Sequence, residues 1–138
     1  MPRNPHAIFD MPFSKVYPML INKAERKGRT RAEVDEATCW LTGYTTAEIE
    51  SALASEITYG AFFSDAPSWN PRSELIVGKV CGVQVDAIED PLMKRIRQLD
   101  KLVDEIAKGR PMEKVLRLAG NVRNAAESSR TRDRTTFA

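Results

Sequence analysis

Between residues 14 and 24 the apolar side chains fall at Val16, Tyr17, Leu20, Ile21 and Ala24. That three-and-four spacing lines one face of a helix. Ser14 is placed to cap it, which puts Pro18 in the first turn, where no helical acceptor is lost. Lys23, Arg26 and Lys27 suit the negative end of the helix, and Gly28 is the stop. The run TRAE, Thr30 to Glu33, is a capping box opening a second helix with Val34, Ala37, Thr38 and Leu41 on one side and Gly43 at its end. Thr45 and Glu48 repeat the device, and Ile49, Ala52 and Leu53 make the next stripe. The aromatic stretch Ile57 to Phe63 has room for one or two helical turns.

The segment SDAPSWNPRSE, Ser64 to Glu74, reads as an ordered loop in which Asn70 caps and Pro71 opens a short helical piece. Lys79 to Ile88, KVCGVQVDAI, is the one strand-like run, either a short hairpin or an extended connection. Asp90-Pro91 begins the longest helix, which extends to about Lys108. Along it Leu92, Ile96, Leu99, Val103 and Ile106 form a heptad seam. That seam either packs into the chain's own core or pairs two copies as a homodimer. Asp100, Asp104 and Glu105 alternate with Lys101 and Lys108, the pattern of a solvated face. Gly109 ends the helix, and Pro111 restarts a short one carrying Met112, Val115, Leu116 and Ala119. The expected fold is mainly α: a compact single-domain bundle of five to six helices over 1–120, with at most a minor β-hairpin near 79–88. A mobile basic tail is expected over 121–138, where apolar residues are few.

Composition narrows the class. The chain has 138 residues, 42% hydrophobic and 29% charged, enough for one domain with a real core. No apolar run is long enough for a membrane helix. Pro5, Asp10 and Pro12 interrupt the place of a signal peptide, so a cytoplasmic location is expected. Cys39 and Cys81 lie far apart in apolar settings and read as reduced, unreactive thiols.

Charge changes the picture more. The net value is only +2, yet the forty positions 32–71 hold seven acidic residues and no lysine or arginine. The two helices around Gly43 have the outline of a helix-turn-helix, but the second offers Glu48, Glu50 and Glu56 where a DNA reader needs cations. Sequence-specific DNA binding is not expected. Weak nonspecific association is open to Lys23, Arg26, Lys27, Arg29 and Arg31, together with Arg130, Arg132 and Arg134 of the tail.

Candidate chemistry is sparse. The lone histidine, His6, has no cysteine near it in sequence, which disfavours metal sites and nucleophilic triads alike. Asp86, Glu89 and Asp90 suit helix capping better than a metal site. No phosphate-cradling glycine loop is present, and no cofactor or metal is expected. Trp69, with Asn70, Arg72 and the nearby Tyr59, lines either a small-molecule pocket closed by Asp86 and Asp90 or a satellite core pinning the loop. The leading expectation is a non-catalytic module that binds a protein partner or itself through the acidic face or the heptad seam. A ligand-binding protein or enzyme with its site near Trp69 and residues 80–90 is the alternative.

The strings VYPMLINKAERKGRTRAEVDEATCWLTGY and VCGVQVDAIEDPLMKRIRQLDKLVDEIAKGRPMEKVL resemble the DUF2200 family, short bacterial proteins known as a domain of unknown function. The likeness runs from about His6 to Leu116 and leaves out the tail. It implies a bacterial, cytosolic, single-domain protein and brings no activity, cofactor or catalytic residue.

Overall fold

The stripes read from the sequence meet in space as six α-helices, in a computed structural model that describes residues 7–80 and 82–117. They are α1 (Phe13–Glu25), α2 (Arg31–Thr42), α3 (Thr46–Leu53), α4 (Tyr59–Ser64), α5 (Pro91–Ala107) and α6 (Met112–Val115). Short 3-10 turns occupy Ala7–Asp10, Pro71–Leu75 and Val85–Ala87. The mainly α bundle with one minor hairpin is the expected class. The proposed tail over 121–138, with His6, Cys81 and Ala119, lies outside the described residues.

The longest helix, α5, is the hub on which α1, α2 and α4 pack. Ile96, Leu99, Leu102, Val103 and Ile106 are all at 0% exposure, and each such side chain contributes about 1.5–3 kcal/mol by leaving water. Of the two roles offered for the seam, packing into the chain's own core is the one these side chains take. Only Leu92 of the five seam residues keeps partial exposure, so the seam is consumed inside the chain. The neighbouring face is not solvated as the alternation suggested. Glu105 is buried, and Asp100 and Asp104 keep 15% side-chain exposure each.

The start of α1 differs from the reading at Ser14. Pro12 precedes the helix without a side-chain cap, and Phe13 is its first residue. The cause is tertiary: Phe13 N–H donates to the Ile57 carbonyl at 2.9 Å and Tyr59 N–H to the Met11 carbonyl at 2.7 Å, bridging Pro12 to Thr58. Pro18 therefore sits in the second turn, where it leaves the Ser14 carbonyl without its helical donor. The same bridge brings Phe13 onto α4. Phe62 is stacked between Phe13 and Tyr44, with ring centroids 4.0 and 4.4 Å away.

Both capping boxes form as read, Thr30 with Glu33 and Thr45 with Glu48. The hairpin alternative is the one adopted. β1 (Lys79–Val80) pairs antiparallel with β2 (Val83–Gln84), Lys79 opposite Gln84 and Val80 opposite Val83.

The α2 end is where sequence and tertiary structure meet most tightly. Gly43 takes φ +85, closing the helix with its N–H on the Cys39 carbonyl at 2.9 Å. The loop over residues 66–70 then covers the remaining carbonyls. Ser68 N–H donates to Thr42 (3.0 Å), Asn70 N–H to Leu41 (2.9 Å) and the Asn70 amide Nδ2 to Trp40 (3.0 Å).

Any Cβ at position 43 would lie 2.7–2.9 Å from Ser68 Cβ, N and O, mostly backbone that cannot move aside. Gly43→Ala is therefore expected to cost more than about 2 kcal/mol, the left-handed penalty plus the clash. Gly43→Asn, which tolerates positive φ, should recover little of it. Urea melts check this, and full recovery by Asn would show that the contact with Ser68 is not the constraint.

Candidate functional site

The six residues expected around a Trp69 pocket are each held by the fold. Tyr59 is completely buried, and its hydroxyl has no hydrogen-bond partner among the described residues. Burial pushes that phenol well above its usual pKa, with Asp100 and Tyr17 acting in the same direction. Trp69 is half-buried: Nε1 donates to Ser73 Oγ at 3.2 Å, its ring lies edge-on to Phe63, and the Arg95 guanidinium sits 4.5 Å from its centre. Arg95 also donates to the Phe63 carbonyl at 2.8 Å. Asn70 caps the 3-10 turn by accepting from Arg72 N–H at 2.8 Å, while the Arg72 guanidinium reaches the Arg117 carbonyl. Asp86 closes the hairpin by accepting from Gly78 N–H at 3.0 Å and Gln84 Nε2 at 2.7 Å. Asp90 caps α5, accepting from Leu92 and Met93. Trp69, Asn70 and Arg72 thus share one loop, whereas Asp86 and Asp90 serve other turns. Arg95, which stacks on Trp69, also walls a cleft of about 220 Å³ together with Ser64, Pro91 and Leu92.

The acidic block becomes a surface. The exposed flanks of α2 and α3 carry Glu36, Glu48 and Glu50, with Glu56 exposed in the turn after α3 and with half-buried Cys39 and Trp40 on α2 and Tyr44 in the turn between the helices. Arg31 comes back from the start of α2 to pair with Glu50 and with Asp35, the latter at 3.3 Å. Glu36, Glu48 and Glu56 have no ion-pair partner among the described residues. Their field is felt locally. Burial first, then Asp35, Glu36 and Glu48, hold the Cys39 thiol above its ordinary pKa, which keeps it protonated and a poor nucleophile. Tyr44 is raised in the same way by burial, Asp65 and Glu48.

Two buried or half-buried ion pairs fix the C-terminal end of α5. Arg29 pairs with Glu33 at 2.7 Å and donates through Nη1 to the carbonyls of Ile106 (2.8 Å) and Arg110 (2.9 Å), ordering the turn that follows α5. Glu105 is gripped by both terminal nitrogens of Arg117, at 2.6 and 2.9 Å. The hydrogen bond from Arg29, with help from Thr30, holds the Glu33 carboxyl down to about 2. Among the described residues no group of His, Cys, Asp and Glu is arranged to hold a metal ion, and no helix is long and apolar enough to cross a membrane.

A family model described as an uncharacterized protein conserved in bacteria (DUF2200) matches residues 7–117. The crystal structure of the uncharacterized protein SP1917 is similar at 45% identity and a TM-score of 0.79, covering 82% of this chain and 93% of that one. No curated protein matches.

Two measurements test the electrostatics. Glu33 has its carboxylate stabilised in the fold, so its contribution is present above the ordinary value of 4.5 and is lost as pH falls toward about 2. Wild type should exceed Glu33→Gln in stability at neutral pH, and the gap should close across that acid window. A gap that persists unchanged at the acid end would contradict the pairing with Arg29. Tyr59→Phe removes a buried hydroxyl that is unpaired among the described residues, and chemical denaturation should show a gain of about 1 kcal/mol. A clear loss would mean that the hydroxyl has a partner.

Proposed function

This chain belongs to the DUF2200 family, and we propose that it acts by binding rather than by catalysis, docking its acidic α2–α3 face on a cationic protein surface. One observation carries the reading. Glu36 and Glu48 stand exposed and without cation partners among the described residues, beside half-buried Cys39, Trp40 and Tyr44, with exposed Glu56 following α3 in the chain. Half-buried aromatic residues on a face whose exposed carboxylates lack cation partners fit a partner rich in lysine and arginine. Self-association falls within this reading through the same face, since the α5 seam is spent in the core. The acidic α3 gives no support to sequence-specific DNA reading.

A small-molecule site is the second reading, favoured by the cleft of about 220 Å³ walled in part by Arg95, whose guanidinium lies over the Trp69 ring. Its signature would be a change in Trp69 fluorescence on ligand addition, abolished by Arg95→Leu.

The first reading is tested by titrating the full chain with an oligolysine peptide and following backbone amide resonances. Shifts should gather at Glu36, Cys39, Trp40, Tyr44 and Glu48. The variant E36Q/E48Q/E56Q, in which the E48Q amide still offers the capping box an acceptor oxygen, should bind at least tenfold more weakly at low salt. Shifts gathered elsewhere, or a variant that binds as wild type does, would refute the assignment.

A further inference from the structure

The C-terminal ends of α1 and α5 meet. Lys23 Nζ lies 3.3 Å from one oxygen of Asp104, and Lys108 Nζ lies 3.0 Å from the other. On one side of this bridge is a cleft of about 570 Å³ whose charged lining is Lys101, Lys108, Arg110 and Lys114 with Asp104 and Glu105. Beside Lys23 is a second cleft, of about 590 Å³, lined by Met19, Lys23, Arg26 and Lys27. Seven cations thus line the two clefts against two carboxylates, and neither carboxylate is free. Burial alone would raise Asp104, but Lys108 and Lys23 hold it below its usual pKa, while Glu105 is committed to Arg117 and, at 3.9 Å, to Arg110, which keeps half its side chain exposed. Arg26, Lys27, Arg110 and Lys114 are exposed and make up most of the surplus, with Glu25 and Glu113 the exposed acids adjoining them in sequence.

The kind of anion follows from what else is present. Helix C-termini offer carbonyls, not N–H donors, so a compact anion would find the negative ends of two helix dipoles and no backbone cradle. Long cationic stems spread over two adjoining clefts suit an anion whose charges are also spread and repeated. We propose that this lysine- and arginine-rich end binds the phosphate backbone of nucleic acid without reading its sequence. The surface differs from the one the sequence suggested. Arg29 and Arg31 drop out, the first committed to Glu33 and two carbonyls, the second to Asp35 and Glu50. Lys101, Lys108, Arg110 and Lys114, from the far end of the chain, take their place.

The test uses the full chain and a fluorescent duplex of random sequence, with anisotropy read across a salt series. Wild type should bind weakly at low salt and lose affinity steeply as salt rises, equally for duplexes of different sequence. In R26Q/K27Q/R110Q/K114Q, checked for an unchanged melting temperature, low-salt affinity should fall at least tenfold. The slope of log affinity against log salt should shrink by up to about 3.6, at roughly 0.9 for each of the four phosphates no longer neutralised. The variant E36Q/E48Q/E56Q should bind the duplex undiminished, which separates this surface from the acidic one. No wild-type binding at low salt overturns the proposal, as does a quadruple variant with the wild-type slope or a clear sequence preference. An acidic peptide bound as tightly as the duplex would do the same, in favour of a protein partner.

Discussion

Every α-helix ends in carbonyls that have no donor within the helix, and in a small bundle of short helices many of these ends are covered by other elements. The architecture follows from how those carbonyls are satisfied. The loop over residues 66–70 supplies three donors to the end of α2. Tyr44 Oη donates to the Phe62 carbonyl at 2.8 Å and Arg95 to that of Phe63, closing α4. Arg29 does the same for the end of α5. Each donor comes from an element other than the helix it closes, so closing the helices and joining the elements are one event. Leaving such a carbonyl buried without a donor costs on the order of 1–3 kcal/mol, which is why these contacts set the path of the loops.

The same demand for partners sorts the charges. Arg29, Arg31, Arg95, Arg97 and Arg117 are half-buried and drawn into pairs, caps or aromatic contact. Two groups of opposite sign stand out among the charges left exposed, carboxylates on α2 and α3 and cations where α1, α5 and α6 end. A net charge of only +2 therefore conceals two fields of opposite sign.

The Trp69 loop shows how structural and functional signatures overlap in a sequence. Tryptophan, asparagine and arginine beside a proline are the composition of a binding loop. Here Asn70 serves α2 and its own 3-10 turn, and Trp69 packs between Phe63 and Arg95 while bonding Ser73. The residues are the same in either role. Only their partners tell a fastener from a pocket wall.

Local rules were legible in the chain itself. The two capping boxes, Asn70 and Asp90 as caps, Gly43 as a left-handed stop and the inward stripe of α5 all depend on residues within a few positions of each other, whose physics the sequence contains. The segregation of charge was legible for the same reason, as was the absence of cations from the second helix of the Gly43 hairpin. What the sequence did not decide depends on partners far along the chain. Phe13 replaced Ser14 as the start of α1 because Pro12 bridges to Thr58. Glu105 left the solvated face because Arg117 reaches it, and the seam turned inward because α1, α2 and α4 could cover it. The basic end exists only because helices far apart in the sequence terminate side by side. Hydrophobic period and capping are short-range and additive along a chain. Which charges are consumed and which are left to meet a partner is decided by packing, because a buried charge needs an opposite charge or a carbonyl within reach, and only the tertiary structure supplies one.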